Sequence, residues 1–275
     1  MKKLVIILPF IAGWCALDTS EAVQDGTLPH IVSRDEPKLT SVETTPCPSG
    51  MKLAEGEWCP RVEQKCLKWL DSDQSQTANF GIGPLRCAEF APSKCLSKTR
   101  QHISVCVDTY EWPNKKGELP LVTIDWFGAK AKCESVGKRL CTADEWTFAC
   151  EGPGMKPYPY GDGLHRDENI CDQQHDSMDP TKPKSEWPKH NHSHPSGSFP
   201  GCVSEFGIYD MPANVDEWVH NVGGRNDGDP FYSGLKGGYW TYKVRTRCRP
   251  MTTVHGPSHS FYQQGFRCCT SPSNP

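Results

Sequence analysis

The stretch GKRLCTADEWTFACEG, from Gly137 to Gly152, decides how this chain is read. It predicts a loop feeding a capped amphipathic helix. Thr142 can cap the helix through its hydroxyl, and Glu145, three residues on, can reach back to the free backbone amide, which makes a capping box. Ala143, Trp146 and Cys150 then fall on one face at helical spacing. A second helix is expected just upstream, where Trp126, Ala129, Cys133 and Val136 share a face.

Working outward, the 275 residues are 36% hydrophobic and 23% charged, enough to bury one large domain with an appendage. A net charge of -3 gives no reason to expect a nucleic-acid partner. Lys2 and Lys3 precede an apolar run from Leu4 to about Ala16, the layout of a secretory signal, and Ser20-Glu21-Ala22 offers a small-x-small cleavage site. The run falls short of the roughly 20 apolar residues of a membrane span, so no transmembrane anchor is expected. Lipidation at Cys15 is the alternative, disfavoured by the bulky Trp14 before it. Without Cys15, fourteen of the 15 cysteines remain, an even number suited to an oxidising compartment and to as many as seven disulfides. No CxxC spacing points to zinc. A secreted, periplasmic or cell-envelope protein follows.

Four stretches are expected: a signal peptide over 1–22, a polar tether with Pro29 and Pro37 over 23–46, a disulfide-pinned N-terminal segment over 47–104, and the main domain over 105–275. No internal repeat is visible. In the main domain, six ordered blocks resemble the formylglycine-generating enzyme, or sulfatase-modifying-factor, family. They are VCVDTY with Glu111 and Asn114 (from Val105), LVTIDW (from Leu121), GKRLCTADEWTFACEG, YPYG (from Tyr158), Ser198 to Pro200 with GIYDMPANVDEW (Gly207 to Trp218), and the closing KGGYW (Lys236) and GFRC (Gly265) strands. The resemblance implies an α+β, C-type-lectin-like fold, disulfide-rich and with much irregular loop. It also implies disulfides Cys133 to Cys268 and Cys150 to Cys248, with Cys269 able to compete for either partner.

The same resemblance sets expectations about chemistry. The family's oxidase holds copper on two cysteines five residues apart just after a GGS motif, soft ligands suited to Cu(I). This chain reads GGYWTYKVRTRC there, with Cys248 aligned to a structural cysteine, Tyr239 in place of the serine and Asp216 in place of a tryptophan. Copper or iron is therefore not expected, no catalytic residue is assigned, and whether the chain is an enzyme stays open. Calcium is the expected cofactor: Asp210 and Glu217 match family oxygen ligands, with backbone carbonyls from Ala213 and Val215, a hard-oxygen set suited to Ca²⁺. Asn169 and Ile170 match the start of a second calcium site, whose downstream acid cannot be aligned.

His190, His192 and His194 alternate in HNHSH and would project from one side of an extended segment, where they could take Zn²⁺ or Cu²⁺; the plainer reading is a polar loop. Trp112 and Trp187, beside prolines and polar residues, are the tryptophans best placed for a binding surface, the others reading as core. No Ser-His-Asp order, phosphate loop or HExxH motif is present. Two functions remain: a non-catalytic or repurposed binding domain for a protein or carbohydrate ligand, and a metal-dependent oxidase of the formylglycine-generating type.

Overall fold

Residue Arg267 sits between two short strands that belong to different four-stranded sheets, and the architecture turns on that crossing. In this computed structural model the described residues are 46–70, 86–173, 175, 181–223, 232–241 and 245–273. The expected signal peptide, Cys15 and all of the expected tether except Pro46 lie outside them.

Strands β1 (Met51–Trp58), β2 (Val62–Glu63), β3 (Cys66–Trp69), β4 (Cys87–Phe90), β5 (Lys94–Cys95) and β6 (Gln101–Asp108) precede helix α1 (Trp126–Glu134). Then come β7 (Arg139–Leu140), helix α2 (Ala143–Glu151), a 3₁₀ turn (Lys184–His190), and strands β8 (Asp216–His220), β9 (Ser233–Lys236), β10 (Met251–Thr252), β11 (Gln264–Phe266) and β12 (Cys268–Thr270). One sheet runs β1-β6-β12-β7 and the other β10-β9-β8-β11, with β2-β5 and β3-β4 as separate pairs. In the second sheet β8 and β11 are parallel, Gly265 standing opposite Glu217. Gly265 is needed there because a Cβ would come within 2.8 Å of the Leu121 carbonyl oxygen.

Helix α2 forms as its sequence predicts. Thr142 Oγ1 accepts from the Glu145 N–H at 3.2 Å, and Glu145 accepts from the Thr142 N–H at 2.8 Å. Trp146 and Cys150 are buried, and Ala143 packs against the same apolar cluster as Val105, Val107 and Met211. Helix α1 begins on Asp125, whose carboxylate accepts from the Gly128 N–H. It buries Trp126, Ala129 and Cys133 but ends at Glu134, so Val136 lies past the helix and is 50% exposed, unlike the expected fourth member of that face. Gly137, at φ +71°, closes the turn there, a conformation that costs glycine little.

Seven disulfides join all fourteen cysteines of the described residues. Cys47–Cys106, Cys59–Cys95 and Cys66–Cys87 pin the N-terminal segment. That segment also gives β1 to the main sheet, paired with β6 along its whole length. Cys133–Cys268 and Cys150–Cys248 are formed as the resemblance implies, and Cys269 pairs with Cys141. Cys171–Cys202 completes the set. No helix among the described residues is long and apolar enough to cross a membrane.

Beneath α2 lies a buried charged group. Arg249 donates to both Glu151 oxygens, at 2.7 and 2.5 Å, and Trp58 Nε1 donates to the same carboxylate. Lys236 on β9, only 2% exposed, donates to the Arg249 carbonyl at 3.0 Å and stands over the Trp146 ring. Burial, reinforced by the Arg249 and Arg245 charges and opposed by Glu151 and Asp144, brings the Lys236 ammonium down to about 7.

Two outcomes follow for stability. Removing the Cys133–Cys268 bridge with a C133A/C268A variant frees a loop spanning 135 residues and should cost roughly 2–5 kcal/mol in urea unfolding. Between about pH 7 and pH 9.5 the unfolded chain keeps a proton on Lys236, at an ordinary lysine value of about 10.4, that the folded protein releases, so its contribution to stability rises with pH. K236M should lose that rise, measured as unfolding free energy against pH; an unchanged slope would show that Lys236 is not held near neutrality.

Candidate functional site

The loop GIYDMPANVDEW enters β8 through two residues in the left-handed region, Asp210 at φ 61° and Asn214 at φ 54°. Asn214 ties three segments together: its amide donates to Glu111 at 2.8 Å and to the His194 carbonyl at 3.2 Å, and its oxygen accepts from the His194 N–H. Gly237 meets this loop from β9, where a Cβ would lie 2.3 Å from the Met211 carbonyl oxygen. Only glycine permits that approach.

Three buried carboxylates surround one buried guanidinium. Arg267 donates to both oxygens of Glu217 at 2.7 Å, to the Asp108 carbonyl at 3.2 Å and to the Tyr209 carbonyl at 2.9 Å. Trp146 Nε1 adds a third donor to Glu217 at 2.8 Å. Glu111 accepts from Ser196 at 2.6 Å and from Asn214, and Asp210 accepts from the Gly197 N–H at 2.7 Å. Burial and then the Glu111 charge push Asp210 well above the usual carboxylate range, and burial raises Glu111 as well. The surplus of negative charge suits a divalent cation, which would bring these four groups to neutrality.

The expected calcium ligands are therefore close together but not equivalent. Glu217 already holds three N–H donors, whereas Asp210 has one. Among the described residues no three His, Cys, Asp or Glu side chains are arranged to hold a metal. A hard cation here would rest on Asp210 with backbone carbonyls of the Ala213 to Val215 turn, so Asp210 rather than Glu217 is the side chain to test. Of the second expected pair, the Asn169 amide groups bond to Asp167, and Ile170 packs on the apolar cluster of Tyr158, Tyr160, Cys171 and Ala213.

At the strand that carries the copper cysteines in the family's oxidase, other groups fill the space. Asp216 is fully buried and receives both ends of the Arg245 guanidinium, at 3.0 and 2.5 Å. Tyr239 packs edge-on to Trp240 and Tyr262, and burial with the neighbouring Tyr262 pushes its hydroxyl up. Cys248 is consumed by Cys150. Residues 242–244 lie outside the described residues. The thiolates of a soft metal site are absent from the described part of this stretch, and a carboxylate–guanidinium pair with two phenols is not a Cu(I) ligand set.

The histidines divide. His192 stacks on His175, ring centroids 4.7 Å apart and 5° from parallel, and His194 Nδ1 lies 2.9 Å from the buried Asp172. His190 instead closes the 3₁₀ turn. Face-to-face rings aim their in-plane nitrogens along parallel directions, which does not make a shared ligand position. Trp187 is only 6% exposed and packs edge-on to Phe261, so it is a core side chain, whereas Trp112, stacked on Phe266, stays partly exposed.

Sequence reasoning missed Arg245, His175 and Lys236 as partners in these clusters. A signal existed for Arg245, since a buried Asp in place of tryptophan calls for a cation.

Comparison with known proteins agrees with this geometry. The sulfatase-modifying factor enzyme 1-like domain matches residues 69–272. The chain is 31% identical over 171 residues to "Inactive C-alpha-formylglycine-generating enzyme 2" from Bos taurus, covering 58% of this chain and 53% of that protein. The Mus musculus protein of the same name is also 31% identical over 171 residues, with 52% of its length covered. The chain thus spans about half the length of the curated relatives it matches. In fold, PvdO from Pseudomonas aeruginosa superposes with a TM-score of 0.50 at 16% identity, covering 80% of this chain and 94% of that one. With the matched region covering most of the described structure, this chain belongs to the sulfatase-modifying factor enzyme 1-like family.

Proposed function

We propose that this chain is an exported, non-catalytic member of its family, a calcium-stabilised scaffold that binds a protein or carbohydrate ligand on its loop surface. The observation that carries the reading is the Asp216–Arg245 pair, which ties β8 to the stretch after Gly238 where the oxidase chemistry needs thiolates. Every cysteine of the described residues is in a disulfide, so none is left as a nucleophile or soft ligand. The two mammalian relatives whose names call them inactive support the same direction. Seven disulfides suit an oxidising compartment, which supports export.

Calcium supports the scaffold by relieving the carboxylate surplus around Asp210. Binding to the folded state alone raises stability with ligand concentration. The thermal midpoint should rise on adding calcium, by several degrees at saturating ion, and D210N should abolish most of that gain. Glu217 is unsuited to this test, because E217Q would leave Arg267 as a buried cation without its partner whether or not calcium binds. A calcium response unchanged in D210N would remove Asp210 from the site.

For the chemistry, the expected result is no aldehyde on a sulfatase-type cysteine peptide incubated with the protein, copper and oxygen. Formylglycine above background, lost on metal chelation, would establish the oxidase reading instead.

A further inference from the structure

Three arginines alternate in the stretch RTRCR, from Arg245 to Arg249, and two of them are spoken for. Arg245 is held by both oxygens of Asp216, and Arg249 by both oxygens of Glu151. Arg247, between them, has no carboxylate among the described residues. Its one hydrogen bond to them is to Gln64 Oε1, at the long distance of 3.5 Å.

The position of Arg247 is nonetheless fixed. The next residue, Cys248, is bridged to Cys150 and donates its N–H to the Pro157 carbonyl at 3.0 Å. The Phe90 ring covers one face of the Arg247 guanidinium, with its centroid 5.2 Å away. A ligand would therefore meet the edge of the group, where the N–H donors point. Gln64 takes one amino group there. The remaining donors have no partner among the described residues, and none of them is shut away from the surface, so they open to water. Arg247 and Gln64 are both half-buried.

The charges around this edge do not cancel its own. Arg166, whose side chain is 2% exposed, bonds to Glu168 at 3.0 Å, and Arg86 reaches the same carboxylate at 3.8 Å. Asp167 accepts from both amide groups of Asn169, and the Tyr158 hydroxyl donates to the Cys87 carbonyl. Two guanidiniums thus share one acid while a third has none. Burial, reinforced by the Arg166 charge and opposed by Tyr158, draws Arg247 below the ordinary arginine value. A cation held this way is stabilised by an anion that reaches it.

The form of that anion follows from the two neighbouring arginines. A guanidinium offers a planar fork of N–H donors that matches the two oxygens of a carboxylate, as Asp216 and Glu151 show on either side. One unmatched positive charge calls for one negative charge, whereas a sulfate or a phosphate dianion would bring two.

We infer that Arg247, backed by Phe90 and Gln64, anchors a binding site for a carboxylate-bearing ligand. The assignment goes beyond the binding-domain reading and stands whether or not the chain is an enzyme. The incoming carboxylate replaces water at the open N–H donors, and no covalent bond changes.

The test is an NMR titration of the full folded protein at constant ionic strength, following the Arg247 Nε–H signal and the Gln64 side-chain amide. The probes are acetate, glucuronate and acetyl-glycyl-glutamyl-glycine amide, with the glutamine counterpart of that peptide, sulfate and phosphate as controls. At least one of the three carboxylates should shift both signals while leaving the Arg249 and Arg267 Nε–H signals in place. The tightest of them names the source as a small acid, an acidic sugar or a peptide side chain. The glutamine peptide should be silent. R247K should weaken binding, read at Gln64, by about tenfold, because an ammonium keeps the charge and loses the fork. R247Q should abolish it. Three silent carboxylates, equal responses to the glutamate and glutamine peptides, sulfate or phosphate binding more tightly than every carboxylate, or a Gln64 response unchanged in R247K and R247Q would each overturn the assignment.

Discussion

The buried pair of Arg267 and Glu217 is the constraint on which the rest of the structure depends. Arg267 is the residue at which the chain leaves β11 in one sheet and enters β12 in the other. Its guanidinium spends its donors on Glu217 of β8, on the last carbonyl of β6 and on Tyr209 of the loop before β8. Trp146 brings α2 to the same carboxylate, and Asp108 holds the next backbone amide, that of Cys268. Such a pair adds little net stability over an apolar packing of equal volume, but leaving either charge alone would cost several kcal/mol. It therefore acts as a fixed joint between the sheets. Because it uses one cation among three acids, it also creates the surplus of charge at Asp210 and Glu111.

Local features were readable in the sequence. The Thr142–Glu145 capping box needs only residues three apart, and the structure forms both of its hydrogen bonds. The end of α1 was misjudged at Val136 because periodicity extends a face beyond the point where a glycine allows the chain to turn, here Gly137. The two long-range disulfides came from resemblance, since spacing cannot choose among cysteine pairings. Cys141 with Cys269 shows the limit: the partner of Cys269 was settled by β7 and β12 lying side by side, with Cys268 opposite Leu140.

The candidate site was legible by position and not by partner. Asp210 and Glu217 were marked together as oxygen donors, yet only three-dimensional packing shows that Arg267, fifty residues away, claims Glu217. The histidines illustrate the same gap. Alternation placed His190, His192 and His194 on one side, whereas the stacking partner of His192 is His175, across a loop whose path the sequence does not encode locally.

The exchange at Asp216 explains why the stretch after Gly238 no longer resembles a soft-metal site. An aspartate placed there alone would be a buried anion, and Arg245 alone would be a cation in the same apolar surroundings, so neither is tolerable without the other. Together they satisfy one another with two hydrogen bonds and leave no charge for a metal or an anionic substrate. Three buried carboxylates are closed off in the same way, each by one arginine: Asp216 with Arg245, Glu151 with Arg249 and Glu217 with Arg267. Around Arg267 the pairing is incomplete, because one guanidinium stands among three acids, and it is there, at Asp210 and Glu111, that burial still weighs on carboxylates without a cation of their own.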